Sequence, residues 1–293
     1  MSVQAACDAV VAMIHTGQGD PLAATERILR AHPRHVFAHC LRAALFVMAA
    51  NAEGNARLAH ALRAANALPA SLATERERRH LAAAAAWLRR DLKRALQMYG
   101  DIARDYPHDT LALRVAHAGD LHWARPEQLR DRVGAALAHW SERMPGYGHV
   151  LGMHAFGLTE AGEHGPAERA GRRALGFDAD NAGAIHAIAH VLEMRGHAAD
   201  GIRWLRGTQS AWERSGYATH LWWHLALYCL DTGDTLAALR IHDERLSDYA
   251  AQGTSVLVDS SALLWRLTLC GVDVGGGWQT GGAAWGGQPR RRP

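Results

Sequence analysis

Two pairs of histidines stand four residues apart in this chain, His186/His190 within HAIAHVLE and His220/His224 within HLWWH. Residues four apart on a helix lie one turn apart on the same face, so each pair presents two imidazoles side by side. Glu193 extends the first stripe by a further turn. Imidazoles beside a carboxylate hold transition-metal ions or transfer protons. The sequence therefore predicts a metal site or an acid–base pair at these residues.

Spacing alone does not establish such a site, because histidine is abundant in this sequence. With His 19 in 293 residues, chance placement gives about 1.2 pairs at a spacing of four. Three pairs occur, the third being His35/His39. The prediction therefore depends on how the surrounding elements direct these side chains.

The elements that position the histidines repeat along the chain. Pro33, Pro69, Pro107 and Pro145 are separated by 36, 38 and 38 residues. Two amphipathic segments fill each repeat, as in NAGAIHAIAHVLEMRG followed by HAADGIRWLRGTQSAWERSG, and strand-like alternation is nearly absent. We therefore predict an all-α fold, an α-solenoid of stacked tetratricopeptide-like helical hairpins.

The register of the hairpins predicts which side chains share a surface. Ala155, Ala189 and Ala226 are small residues suited to helix crossings, so they are predicted to face the partner helix. The residues on another side of the same helices are predicted to face a concave groove. The residues predicted to line this groove are His149, Phe156, His186, His190, His220, Trp223, His224 and Asp231, with Glu160 and Glu193 as candidate catalytic acids or bases. Asp259, just before SSALLW, is interpreted as a helix N-cap or first-turn acid.

Composition excludes several classes of protein. The net charge is only +3 and the arginines are dispersed, which argues against nucleic-acid binding. No apolar run approaches the roughly 20 residues that span a bilayer, and the N-terminus lacks a secretory pattern, so we expect a cytoplasmic protein without a membrane partner.

Four scattered cysteines form no CxxC pair. The single lysine and abundant alanine are typical of a GC-rich bacterial genome.

The chain is predicted to form one domain over residues 1–274. The segment from 275 to 293, GGGWQTGGAAWGGQPRRRP, is glycine-rich and basic and has no helical period. Such a composition buries little apolar surface, so we expect this tail to be disordered.

Several motifs together resemble the tetratricopeptide repeat protein 38 family. These motifs are TERERRH, YGHVLGMHAFGLTEAG, HAIAHVLEM, HLWWHLALYCLDTGDTLAALRIHDERL and DSSALLWRLTLCGVDVG. The similarity runs from about Thr25 to Trp278 and is most specific between Phe156 and Leu246. The resemblance implies a tetratricopeptide-like solenoid and does not imply any particular reaction. The residues that it singles out are Phe156, Glu160, His186, His190, Glu193, Trp212, His220, His224, Asp259 and Trp265. Family members continue with further helices, so the glycine-rich end suggests a truncated or frame-shifted gene.

Three functions fit these observations. The first is a scaffold that binds a peptide, a protein or a small ligand in the groove. The second is an enzyme in which His186, His190 and one of His220 or His224 hold a divalent metal such as zinc, and Glu193 or Glu160 acts as a base toward a bound water. In a metal-free version the same histidines and glutamates form an acid–base pair. All four histidines are candidate metal ligands. The third is a purely structural array. No nucleophile elbow, phosphate-binding glycine loop or dinucleotide fingerprint supports a known enzyme class.

Overall fold

The computed structural model describes residues 2–248 and 254–286, and over these residues the chain forms helices and no strand. The α-helices are α1 Val3–Thr16, α2 Pro21–Ala31, α3 Val36–Ala49, α4 Ala52–Asn66, α5 Glu75–Leu88, α6 Leu92–Asp105, α7 Thr110–His122, α8 Pro126–Leu137, α9 Tyr147–Glu160, α10 His164–Phe177, α11 Ala182–Met194, α12 Ala198–Gly207, α13 Gln209–Trp212, α14 Ala218–Asp231, α15 Thr235–Ile241, α16 Thr254–Leu269 and α17 Gly277–Gly286. The described residues also contain a 3₁₀ turn at Ala70–Leu72 and a π-helical turn at His242–Leu246. Within the described ranges, none of these helices has both the length and the hydropathy needed to cross a bilayer. The predicted all-α class is confirmed.

Local chemistry explains where the helices begin and end. Thr74 precedes α5, and its hydroxyl accepts a hydrogen bond from the backbone N–H of Glu77 while the Glu77 carboxylate accepts one from the backbone of Thr74. This reciprocal capping box pairs donors that the first helical turn leaves unpaired. After α11 and α14, Gly196 and Gly233 adopt φ values of 70° and 82°, a left-handed conformation in which glycine has no steric penalty.

Consecutive helices pack as hairpins, and each hairpin contacts the next. The pairs α1/α2, α3/α4, α5/α6, α7/α8 and α9/α10 are in contact, and α2, α4, α6 and α8 also contact the helices that follow them. Small side chains lie at these contacts, since Ala155 and Ala167 are almost fully buried. Close approach of helix axes needs such small residues. Stacked hairpins of this kind form the tetratricopeptide-like solenoid predicted from the sequence.

The chain divides into two compact units, residues 1–184 and 185–293, whereas the sequence predicts one domain over 1–274. The division falls inside α11, between Ala184 and Ile185. The single domain predicted over residues 1–274 stays a prediction, because a domain boundary is expected in an exposed linker and this division lies inside a helix.

In the second unit, one glycine and one tyrosine set the spacing of three helices. A Cβ atom at Gly201 on α12 would lie 2.3 Å from the ring of Tyr228 on α14, so any larger residue would force the helices apart. The Tyr228 hydroxyl donates a hydrogen bond to the backbone carbonyl of Ala189 on α11. Ala189 and Ala226 are fully buried, as their predicted place at helix crossings requires. Helices α11 and α14 are thereby held in a fixed register.

The structure differs from the predicted disordered tail over the residues it describes. Helix α17 packs on α16: Ala284 contacts the buried side chains of α16, and the indole Nε1 of Trp285 donates to the Ser261 hydroxyl at 2.9 Å. The prediction considered the glycines and neglected the alanines and tryptophans between them, which supply these contacts. Residues 287–293 of the predicted tail lie outside the described residues.

Truncation after Gly276 removes α17 and is expected to lower the free energy of unfolding by about 1 to 3 kcal/mol, because two indole hydrogen bonds to α16 are lost. Urea denaturation followed by circular dichroism measures this change. Truncation after Gly286 is the matched control, because it leaves both hydrogen bonds intact. Identical midpoints for the two truncated chains would contradict the packing of α17 on α16.

Candidate metal centre

Four imidazole rings meet in the second unit, two from α11 and two from α14. Nε2 of His186 lies 2.9 Å from Nε2 of His190 and 3.3 Å from Nε2 of His224. Nε2 of His224 lies 3.2 Å from Nε2 of His220. One ring nitrogen from each residue falls within 4.8 Å of the other three. The two pairs predicted from spacing therefore form one group, which we call the four-histidine cluster.

Two carboxylates hold the outer nitrogens of this cluster. Nδ1 of His224 lies 2.8 Å from Oε2 of Glu193, and Nδ1 of His220 lies 2.8 Å from Oδ2 of Asp259. A carboxylate oxygen accepts hydrogen bonds, so each Nδ1 carries the proton and donates it. A neutral ring then directs the lone pair of Nε2 into the cluster. Metal-ligating histidines are commonly oriented by a carboxylate in this way.

The resulting protonation pattern places two lone pairs against each other. Nε2 of His220 and Nε2 of His224 are 3.2 Å apart, and two nitrogens without protons cannot form a hydrogen bond. A cation between them replaces the repulsion with two bonds. Four nitrogens at about 2.1 Å from a tetrahedral zinc ion are about 3.4 Å apart. The cluster thus has the donor type and number of a tetrahedral zinc site, and three of its nitrogen–nitrogen distances, 2.9, 3.3 and 3.2 Å, are close to the spacing that such a site needs.

Burial favours the neutral form of two histidines of the cluster, His186 and His224. Desolvation lowers the pKa of His224 to about 3, although its hydrogen bond to Glu193 acts in the opposite direction. Desolvation also holds the pKa of His186 well below its usual value, and the neighbouring imidazoles lower it further. Burial raises the pKa of Glu193, but the hydrogen bond from His224 and the charges nearby outweigh burial, so the carboxyl pKa is lowered. At neutral pH, His186 and His224 are therefore neutral, and the Glu193 carboxylate beside His224 is charged.

Solvent reaches the cluster on the His220 side. The His220 side chain is 37% exposed, whereas that of His224 is 1% exposed. Trp223, a predicted groove residue, stacks on the His220 ring with centroids 5.3 Å apart and 14° between the planes. The Tyr217 ring lies 5.7 Å from that of His186. The cluster is therefore open beside His220, while the rings of Tyr217 and Trp223 lie against His186 and His224.

The structure places three acidic residues that the sequence singles out. Glu193 accepts a hydrogen bond from Nδ1 of His224, and the general-base role predicted for it from the sequence stays a prediction. Asp259 lies in the second turn of α16 and binds His220, so its interpretation as an N-cap or first-turn acid is wrong. Asp231 is exposed at the end of α14 and lies outside the cluster. Burial raises its pKa, and the charge of Glu193 raises it further.

Three predicted groove residues belong to the first unit. His149 stacks on His15, with ring centroids 5.7 Å apart and 5° between the planes. Phe156 meets the ring of His117 edge-on at 5.9 Å, and Glu160 is the last residue of α9. The four-histidine cluster and its two carboxylates all lie within residues 185–293, so the centre is complete without these three residues.

Spacing arguments missed two residues of the site, Asp259 and Tyr217. Asp259 is 39 residues from His220 in the chain, so only the packing of α16 on α14 brings them together. The family resemblance was the one sequence signal that singled it out. Tyr217 precedes α14 and carries no motif that distinguishes it from other aromatic residues of the chain.

Comparison with known proteins gives limited information. No family model matches the chain. The crystal structure of the P58(IPK) TPR domain is similar at 11% sequence identity and a TM-score of 0.29, with 91% of this chain and 83% of that chain covered. The assignment of the fold rests on the helices and their contacts rather than on this similarity.

Proposed function

We propose that this protein is a tetratricopeptide-like metalloprotein whose second unit binds one divalent transition-metal ion, with zinc as the first choice. The observation that carries the proposal is the pair of Nε2 lone pairs on His220 and His224, fixed 3.2 Å apart by carboxylates on the far sides of both rings. A bound cation explains this arrangement, and His186 and His190 supply two further nitrogens at suitable distances.

Ligand chemistry and charge favour zinc. Imidazole nitrogens suit zinc, copper, nickel and iron, and tetrahedral geometry is the one that zinc prefers. Histidines bind a metal ion as neutral rings, while Glu193 and Asp259 contribute two negative charges directly behind two of the ligands. A divalent ion would make this group neutral as a whole, which lowers the cost of burying it.

The arrangement supports a structural or binding role better than a catalytic one. Four protein ligands complete a tetrahedral shell, whereas catalytic zinc sites keep one position open for water or substrate. Glu193 is occupied by His224 and does not stand ready as a base. We therefore favour a scaffold in which the ion fixes two helices of the repeat array, with a peptide, protein or small molecule as its partner. The resemblance to the tetratricopeptide repeat protein 38 family supports this, because it singles out all six residues of the site.

Protein purified without a histidine tag or chelator is expected to contain one zinc ion per chain, measured by inductively coupled plasma mass spectrometry. After chelation, reloading with Co²⁺ is expected to give the strong visible absorption of tetrahedral cobalt, because the four ring nitrogens, all within 4.8 Å of one another, complete a four-ligand shell in the proposed site. Octahedral cobalt spectra or a stoichiometry below one after reloading would argue against a four-nitrogen site.

Replacement of His197 by glutamine provides the control, since this histidine belongs to the same unit but is exposed and outside the cluster. It should leave the metal content and the cobalt spectrum unchanged. Stoichiometric metal that survives simultaneous replacement of all four cluster histidines would place the ion elsewhere and overturn the proposal.

A further inference from the structure

The turn between α5 and α6 in the first unit carries a group of exposed positive charges. Four basic residues stand close together in the sequence here, and they are Arg89, Arg90, Lys93 and Arg94. None of their side chains forms an ion pair or a hydrogen bond with a residue that the structure describes. We call these four residues the basic turn. Their charges are open to a partner of opposite charge.

The acidic residues of the same hairpin are engaged elsewhere. Glu75, the first residue of α5, pairs with Arg78, and Asp105, the last residue of α6, pairs with Arg79. Asp91 lies within the turn, where its carboxylate accepts a backbone hydrogen bond and caps the first turn of α6. The turn therefore presents four positive charges beside one carboxylate that already has a structural role.

The fold places these charges at positions that oppose its own stability. Arg90 has a φ of 69°, whereas the turn after α9 makes the same two backbone hydrogen bonds with a glycine, Gly162, at 79°. A side chain in this left-handed conformation costs free energy that glycine does not incur. Lys93 and Arg94 lie in the first turn of α6, where the helix dipole disfavours cations. Such unfavourable placements are more frequent at binding sites than elsewhere.

An exposed apolar surface lies beside the basic turn. Leu96 of α6 packs against Gly119 of α7, since a Cβ atom at Gly119 would lie 2.3 Å from the Leu96 side chain. The two helices are joined by a short connection and pack on each other, so they run antiparallel. Lys93 precedes Leu96 by three residues and Trp123 follows Gly119 by four, which places both about 5 to 6 Å from this contact toward the same edge. Trp123 is 38% exposed there.

The positive charge is confined to one turn of that edge. The corresponding turns of neighbouring hairpins in the first unit are followed by acidic residues, which are Glu53, Glu127 and Glu163. A nucleic-acid strand or a membrane surface extends past several hairpins and would meet these carboxylates, which repel phosphate groups. A short acidic segment of a protein needs only the one turn. The observations therefore favour a protein partner.

We infer that the basic turn is a docking site for an acidic segment of a partner protein. Carboxylates of the segment pair with the four basic side chains, and an adjoining apolar side chain of the segment packs on Trp123. Arginine suits this role because its planar guanidinium binds a carboxylate through two parallel hydrogen bonds. The surface belongs to the first unit and does not depend on the metal centre, so either proposal can fail without the other.

Fluorescence anisotropy of a fluorescein-labelled peptide amide, EEEWEEE, titrated with the full chain tests the inference. We expect saturable binding that weakens as the sodium chloride concentration rises, because the contacts are ionic and exposed. The uncharged peptide QQQWQQQ should bind at least about tenfold more weakly, since several ion pairs are lost together. EEEAEEE should bind more weakly than EEEWEEE, and Trp123→Ala should abolish that difference. Equal binding of the glutamate and glutamine peptides would overturn the proposal.

The double variant Arg90→Gly/Arg94→Gln removes two of the four charges and is expected to weaken EEEWEEE roughly tenfold, because one exposed ion pair contributes up to about fivefold. Its melting temperature should not fall, since glycine is favoured at the left-handed position. Arg30→Gln/Arg63→Gln is the matched control, because it removes the same charge from the last turns of α2 and α4. Equal weakening by the two double variants would mean that overall charge attracts the peptide, which would contradict a specific site.

Lys93 is the single lysine of the chain, so it provides a direct test of position. A water-soluble carbodiimide should couple a carboxylate of EEEWEEE to the Lys93 amine as an amide, identified by peptide mass spectrometry. Lys93→Arg keeps the charge, so it should keep the affinity and lose this cross-link. Coupling to the N-terminal amine alone would show that the peptide binds elsewhere. Tighter binding of oligodeoxythymidine or of phosphatidylserine vesicles than of EEEWEEE, reduced by the same double variant, would overturn the assignment of a protein partner.

Discussion

Replacement of His224 by alanine is expected to lower the affinity of the second unit for zinc by more than about 100-fold, since even loss of an outer partner of a metal ligand costs 10- to 100-fold. His224 is the central residue of the cluster, because its Nε2 faces both His186 and His220 while its Nδ1 binds Glu193. Its removal takes away a ligand and leaves the Glu193 carboxylate without the imidazole N–H. Competition titration with a chromophoric chelator measures the change.

A graded series distinguishes loss of a ligand from loss of structure. Glu193→Gln and Asp259→Asn remove only the outer partners and should each weaken zinc binding by about 10- to 100-fold. His224→Gln retains a group that can hydrogen-bond Glu193, so its far-ultraviolet circular dichroism should match that of the parent protein. If His224→Gln folds normally and binds zinc as tightly as the parent, His224 is not a ligand.

Replacement of Trp212 by alanine is expected to destabilise the second unit by about 3 to 5 kcal/mol, the range for truncating a large buried aromatic residue. Trp212 is fully buried, and its indole Nε1 donates to the backbone carbonyl of Leu205 at 3.0 Å. Its ring also meets that of Trp222 edge-on at 5.1 Å. The substitution removes all these contacts and leaves a buried carbonyl unpaired. Urea denaturation of the metal-free protein measures the effect without a contribution from the ion.

Trp265→Ala is the matched control, because this tryptophan belongs to the same unit but is 58% exposed. The free energy of unfolding should change by about 0.5 kcal/mol or less, as for most surface substitutions. The family resemblance singles out both tryptophans, so the pair also compares a buried residue with an exposed one. Comparable destabilisation by the two substitutions would mean that burial does not explain the role of Trp212.

The parts of the site that depend on helical periodicity could be predicted from the sequence. A spacing of four puts His186 beside His190, and His220 beside His224, whichever way the helices pack. The crossing residue Ala189 then fixed which side of α11 faces its neighbour, and the structure buries it as predicted. Periodicity sufficed here because both the spacing and the register are properties of a single helix.

The remaining parts depend on contacts that are distant in the chain. The sequence alone could not show that Nε2 of His224 meets Nε2 of His186, because 38 residues separate them and the Gly201–Tyr228 contact helps to set the helix spacing. The pairing of Asp259 with His220 depends likewise on how α16 packs. At Gly277–Gly286 the structure has a helix where composition predicted disorder, because composition measures average polarity and does not show which few side chains find partners.

The placement of two ligands on each of two helices also has a consequence for the unfolded chain. If an ion stays bound to both helices, it joins His190 to His220, which are 30 residues apart in the sequence, and so closes a loop of that length. A covalent cross-link closing a loop of that length removes about 3 to 4 kcal/mol of chain entropy from the denatured ensemble. A bound ion restricts the unfolded chain in the same way, but only while the histidines remain attached to it. It therefore opposes the early steps of unfolding, before the ion is released. The ion would thus act as a reversible cross-link whose strength depends on the concentration of free metal.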